Sequence, residues 1–120
     1  MRRSLTRQER LRRNTDIKEL FSAARRIESR GLRLLFRNNG SPTTRFAVVV
    51  TRGSGGAVKR NREKRITREA YRSLKATIRP GVDLVFLVVR RGSAFAERQA
   101  VMGQLLGRAG LRVPDGMTRP

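Results

Sequence analysis

Residues 57–79, AVKRNREKRITREAYRSLKATIR, constrain the fold more than any other stretch, because they carry helical periodicity between helix-breaking residues. At about 100° per residue, Ile66, Ala70, Tyr71, Leu74 and Ile78 fall within one arc, the apolar stripe of a helix that rests on a core. The opposite arc carries Asn61, Lys64, Arg68, Lys75 and Arg79, flanked by Arg65 and Arg72. Gly53, Gly55 and Gly56 precede the stretch in a flexible loop, and Pro80 with Gly81 stops it. A helix of this length spans roughly 30 Å. Any fold must dock one side of it and leave a cationic side outward.

The stretch holds nine Lys and Arg, and only Glu63 and Glu69 to pair with them along the helix. A solvated face is the bland explanation, but cations without intrahelical partners repel one another, which favours an external anion. The whole chain leans the same way, with 29 Lys and Arg against 9 Asp and Glu and a formal net charge of +20. Phosphate polymers are the first partner such a field suggests, through counterion release, and acidic membranes the second. The chain has no His and no Cys, which removes imidazole acid–base chemistry, thiol nucleophiles, disulfides and the usual zinc sites. Its scattered acids form no evident hydrolytic constellation, so neither a catalytic residue nor a cofactor or metal bound by the protein itself is expected. No apolar run approaches bilayer length, and the start, MRRSLTRQER, lacks the apolar core of a secretion signal, so a cytoplasmic location is expected.

A length of 120 residues suits one domain. Composition divides the chain into a basic, flexible N-terminal segment (1–13), a domain (14–110) and a flexible tail (111–120) containing Pro114, Gly116 and Pro120. Asn14 or Thr15 offers a cap for a short helix over 16–24, in which Ile17, Leu20, Phe21 and Ala24 form a stripe. Residues 32–37 predict a strand with Leu32, Leu34 and Phe36 on one face and Arg33, Leu35 and Arg37 on the other. That Arg pair suits either phosphate contact or protection of a sheet edge. The turn-rich 38–44, NNGSPTT, predicts a hairpin loop into a strand over 45–51, whose unbroken apolar run 46–50 predicts a central position. The following RGSGG loop lacks the spacing of a nucleotide-binding phosphate loop. Residues 82–89 predict a third, buried strand with Asp83 near its exposed start. Ser93 is a candidate cap for a helix to about residue 108, with Ala94, Phe95, Val101, Leu105 and Leu106 on its packed side. A fourth strand is a short edge piece at 4–7 or at 27–30.

The run Ala57-Val58-Lys59-Arg60-Asn61-Arg62-Glu63-Lys64-Arg65 resembles the RNR signature of the protein subunit of bacterial ribonuclease P. It opens an amphipathic helix after an apolar strand and a Gly-rich loop, and it continues to Arg68. The resemblance extends from about residue 5 to residue 111, with Asn14, Asp16 and Phe21 agreeing in the first helix and Arg45 opening the strand before the loop. It implies an α/β fold, a small two-layer sandwich with a roughly four-stranded mixed sheet and three helices. It also implies a left-handed βαβ crossover where strand–helix–strand order alone implies a right-handed one.

The function implied is that of a subunit that binds the catalytic RNA and the 5′ leader of precursor tRNA, while the RNA, with Mg²⁺, cleaves the phosphodiester. Catalytic RNA and precursor tRNA are then the partners, rather than membrane or DNA. The RNA-binding residues carried over are Arg60, Asn61, Arg62, Lys64, Arg65 and Arg68, with a structural role for Arg62 equally open because it lies nearer the packed side. The leader cleft carried over comprises Ile17, Phe21, Arg33 and Leu35. Ile17 and Leu35 stand where the family often has aromatics, and Phe21 is divided between cleft and core. Gly53 and Gly56 replace the usual Lys and Asn of the loop, so no role is carried onto them. The rival readings are a ribosomal or chaperone-like RNA-binding protein, a major-groove DNA reader, which lacks a helix-turn-helix pairing here, and a peripheral membrane helix with too few bulky apolar residues.

Overall fold

The computed structural model describes residues 9–11, 14–51, 56–89 and 94–113. Its elements are α1 (Asn14–Ala23), β1 (Arg25–Ser29), β2 (Leu32–Asn38), β3 (Arg45–Val50), α2 (Ala57–Leu74), a 3₁₀ turn (Lys75–Thr77), β4 (Val82–Val88) and α3 (Phe95–Arg108). The four strands form one mixed sheet in the order β1-β2-β4-β3, antiparallel except for the parallel pair β3 and β4. This is the expected α/β fold with a four-stranded sheet and three helices. Of the two places offered for the fourth strand, the second is taken by β1; residues 4–7 lie outside the described residues. Arg30 and Gly31, with φ of 49 and 77, close the β1–β2 hairpin as a two-residue turn whose twist matches the strands it joins.

β4 is buried at every position, because it lies between two strands and has packing on both faces. On one face Leu34, Phe46, Leu84 and Phe86 pack with Tyr71 and Leu74 of α2 and Met102, Leu105 and Leu106 of α3. There Tyr71 stacks on Phe46, with ring centroids 3.9 Å apart. On the other face Leu35, Val85 and Leu87 pack with Leu20 of α1 and with Leu11.

Several expectations are corrected. β3 is an edge strand, and 38–44 close no hairpin, because β4 inserts between β2 and β3. An apolar run reports covered faces and says nothing of lateral neighbours. The outer edge of β3 is partly met by residues 9–11: the Leu11 N–H donates to the Phe46 carbonyl and the Phe46 N–H to the Glu9 carbonyl, each at 2.8 Å. Leu11 is buried, and so is Leu111, beside which Arg112 bridges Ile78. The packed unit thus reaches into both end segments; residues 1–8, 12–13 and 114–120 lie outside the described ones.

The long helix ends at Leu74 rather than near residue 79, tightening into the 3₁₀ turn before Ile78 becomes extended. Pro80 disfavours helix at Arg79, the residue before it, and Ile78, already extended at the end of the turn, enters the core beside its bridge to Arg112. In α3, Val101, Leu105 and Leu106 are buried as expected, whereas Ala94 and Phe95 are exposed. Ala94 occupies the cap position, and Ser93 lies outside the described residues.

Candidate nucleic-acid interface

Burying Ile66, Thr67, Ala70, Tyr71 and Leu74 turns the other side of α2 outward. Asn61, Arg62, Arg65 and Arg68 are exposed, and Arg60, Lys64 and Arg72 are half-buried at the margin. All six expected RNA-binding residues therefore sit on one helix, with Asn61, Arg65 and Arg68 in a single line that covers about 10 Å at 1.5 Å per residue. The cationic arc is shorter than expected. Lys75 donates to the Glu9 carboxylate at 3.1 Å, and Arg79 to the Asn38 side chain at 2.9 Å, both past the helix end.

Glu63 was expected on the charged surface as a partner for the cations, and the structure turns it inward. It is 2% exposed. Arg98 of α3, itself buried, donates to Glu63 Oε1 at 2.6 Å and to Thr67 Oγ1 at 2.8 Å. The signal was available, since 63, 66, 70 and 74 share one helical arc. Arg62 donates to the second oxygen, Glu63 Oε2, at 3.3 Å while keeping half its side chain exposed, so it joins the outer face to the buried pair. Seven Lys and Arg on α2 are left with Glu69 as the one acid on the helix surface.

A cleft of ≈ 430 Å³ opens between α1, the edge of β3 and α2. Leu11, Ile17, Ala47 and Val48 give it apolar walls, and Arg10, Arg68 and Arg72 bring three guanidinium groups to it. No acidic residue lines it. The Arg72 Nε–H is buried without a hydrogen-bond partner among the described residues. Apolar walls with convergent cations suit a nucleotide, whose base and phosphate make the two kinds of contact. Arg72 is four residues beyond Arg68 on the same helical line, so spacing could have pointed to it. Nothing could have pointed to Arg10, whose position depends on pairing with β3.

Of the expected leader residues, Ile17 lines this cleft and the other three do not. Leu35 is fully buried beneath α1 with Leu20 and Val85, so it touches no ligand in this arrangement. Arg33 is ion-paired with Glu28 at 3.3 Å on the neighbouring strand. Phe21 is half-buried and packs against the α1-side core.

The face of the sheet that carries α1 ends in a charged row, Arg37–Asp83–Arg45, whose members are register neighbours on β2, β4 and β3. Asp83 is fully buried, not at an exposed strand entry, because two strands flank it. Arg45 Nε and Nη2 donate to its two oxygens at 2.8 and 2.7 Å, and Asn39 donates at 2.9 Å. Burial alone would raise the Asp83 pKa, but the hydrogen bonds from Arg45 and Asn39 and the charges of Arg45 and Arg37 outweigh it and hold the carboxyl below its ordinary value. Arg37 also donates to Glu19 of α1 at 2.8 Å, and that hydrogen bond, against partial burial and with help from Asp83, holds its pKa above the ordinary value. The row ties α1 to the sheet, which is a scaffolding task for Arg37. Among the described residues, no three His, Cys, Asp or Glu side chains gather as a metal site, and no helix is long and apolar enough to cross a membrane.

Comparison with known proteins adds an independent finding. The family model described as Ribonuclease P matches residues 5–110. The ribonuclease P protein component of Thermotoga maritima is 37% identical over 98 residues, 82% of this chain and 84% of that protein. The solved RNase P protein from Thermotoga maritima superposes with a TM-score of 0.69 at 30% identity, over 81% of this chain and 94% of that one. The RNase P protein of Staphylococcus aureus superposes with a TM-score of 0.75 over 87% of this chain and 97% of that one; at 21% identity the likeness is one of fold.

Proposed function

The chain belongs to the bacterial ribonuclease P protein family, and from that premise we propose that it binds the catalytic RNA through the outer face of α2 and receives the 5′ leader of precursor tRNA in the neighbouring cleft. The observation that carries this reading is the one-sided charge of α2. Seven cations stand on a helix whose first acid, Glu63, is consumed in the interior by Arg98. Glu69 is the one acid left on the surface of this helix, so the face carries a large excess of positive charge, which a phosphate backbone offsets.

Within this reading Arg60, Arg65 and Arg68 make forked contacts to phosphate oxygens, Lys64 adds a point charge, and Asn61 offers both donor and acceptor. Arg62 contributes its exposed guanidinium from a position fixed by Glu63. Arg10 and Arg72, with Arg68 shared between the two surfaces, hold leader phosphates while Ile17 and its apolar neighbours meet a base. Phe21 and Leu35 support Ile17 from the core on the α1 side of the sheet.

The holoenzyme is a cytoplasmic ribonucleoprotein in which the RNA, with bound Mg²⁺, carries out the hydrolysis. The protein contributes electrostatics and position. By neutralising crowded phosphates it lowers the Mg²⁺ needed for the RNA to be active.

The test is affinity of the assembled complex for precursor and for mature tRNA. Tighter binding of the precursor, together with a lower Mg²⁺ requirement when protein is added, supports the reading. Parity between the two ligands supports instead a general RNA-binding protein with no part in processing.

A further inference from the structure

In the β1–β2 hairpin, β1 forms the sheet edge opposite β3, with β2 and β4 between the two. At the usual strand spacing this puts about 14 Å between β1 and β3. Residues 25–33, RRIESRGLR, hold four Arg and one acid, Glu28. That acid is already engaged by Arg33 at 3.3 Å, and Arg108 of α3 also reaches the hairpin, donating to the Glu28 carbonyl at 3.4 Å. Arg25, Arg26 and Arg30 are exposed. Arg25 lies over the Phe36 ring, its Cζ 5.4 Å from the centroid, and Arg26 donates from Nη2 to the Phe21 carbonyl at 3.3 Å. Each anchor uses one face or one N–H of a planar, five-donor group and leaves the other donors outward.

Arg30 is the telling residue. Among the described residues it is the one non-glycine with positive φ, at 49. It fills the first position of a two-residue turn where Asn or Gly sits without strain. A long cation there costs turn stability that Asn or Gly would not, a cost that a contact outside the fold offsets. Guarding a strand edge against pairing does not explain it, because a charge of either sign on the strand itself serves that purpose.

We infer that the β1–β2 hairpin is a second phosphate-binding surface, which grips the sugar-phosphate backbone of an RNA segment other than the one held by α2. The inference rests on reading the chain as an RNA-binding ribonuclease P subunit. It makes the protein a clamp with basic surfaces at both edges of its sheet.

The experiment uses the full chain, Arg30→Asn, and the triple variant Arg25→Gln/Arg26→Gln/Arg30→Asn. Thermal midpoints are recorded, together with binding across a salt series in two arms: to the catalytic RNA alone, and of the assembled complex to precursor tRNA. Arg30→Asn is expected to melt at or above the wild-type temperature and yet bind several-fold more weakly, a divergence that a purely structural role does not produce. The triple variant is expected to bind at least about ten-fold more weakly, and its log–log salt slope to fall by about 2, as for three lost phosphate contacts. Loss in the first arm assigns the segment to the catalytic RNA, and loss confined to the second assigns it to the substrate. Wild-type affinity and slope in both arms, beside weakened binding by Arg65→Ala/Arg68→Ala, overturns the hairpin surface and leaves the reading of α2 standing. Unchanged binding by both sets of variants overturns that reading as well.

Discussion

Replacing Asp83 by Asn tests whether the buried row at the end of the sheet holds the fold together. The carboxylate is 0% exposed and accepts from Arg45 at 2.8 and 2.7 Å, from Asn39 at 2.9 Å and from Arg37 at 3.4 Å. Asn keeps one oxygen but sets an NH₂ group against guanidinium donors. Breaking a buried ion pair on one side costs about 3–5 kcal/mol. Here the Arg45 and Arg37 side chains keep 32% and 28% exposure and can rehydrate, so about 2–3 kcal/mol is the appropriate figure. For a domain of this size that lowers the midpoint by roughly 10–20 °C.

The pH dependence has a defined sign. Because the Asp83 carboxyl is held below its ordinary value, its contribution is complete above the unfolded pKa of about 3.9 and is lost as pH falls through the lower native value. Urea unfolding of both proteins followed by circular dichroism should give a constant gap between about pH 5 and pH 7 that narrows progressively below about pH 4. A variant within about 0.5 kcal/mol of wild type at pH 7, the scatter typical of neutral surface changes, would refute the reasoning. So would a gap that does not narrow in acid.

Glu63→Leu strands Arg98 in the core and should cost about 3–5 kcal/mol, whereas Glu63→Leu/Arg98→Met should recover most of it; thermal melts of the four proteins of the cycle check this, and additive losses would contradict it. Leu35→Ala should destabilise by about 2–5 kcal/mol and leave the preference for precursor over mature tRNA intact in the folded protein, as measured by chemical denaturation and by the two affinities. Ile17→Phe sets an aromatic face on the cleft and should tighten precursor binding about ten-fold without changing affinity for the catalytic RNA, as a pair of titrations will tell.

The sequence carried the parts of the fold that depend on local periodicity. The apolar stripe of α2 and the continuous apolar run of β4 each state which faces are covered, and both are buried as read. Lateral order has no such local signature. β3 looks central because both its faces meet other layers, yet β4 arrives from more than thirty residues later and takes the middle place. The same insertion brings Arg37 and Arg45 to Asp83, which reads in sequence as a lone acid at a strand entry. Of the candidate interface, the grouping of the six α2 residues was legible because one helix positions them all. The cleft was legible at Ile17, at Arg68 and, through helical spacing, at Arg72, but not at Arg10, Leu11 or Ala47, which reach it only through tertiary packing. The surroundings of Leu35 and Arg33 were not legible for a related reason, because alternation assigns them to a face but does not say that α1 covers one and Glu28 engages the other.

The central claim is that the outer face of α2 grips the catalytic RNA through its phosphates. Its most direct test is the salt dependence of that binding for wild type and for Arg60→Ala/Arg65→Ala/Arg68→Ala. Three lost contacts should weaken binding throughout and reduce the log–log slope by about 2 to 3. A triple variant with wild-type affinity and slope would contradict the claim.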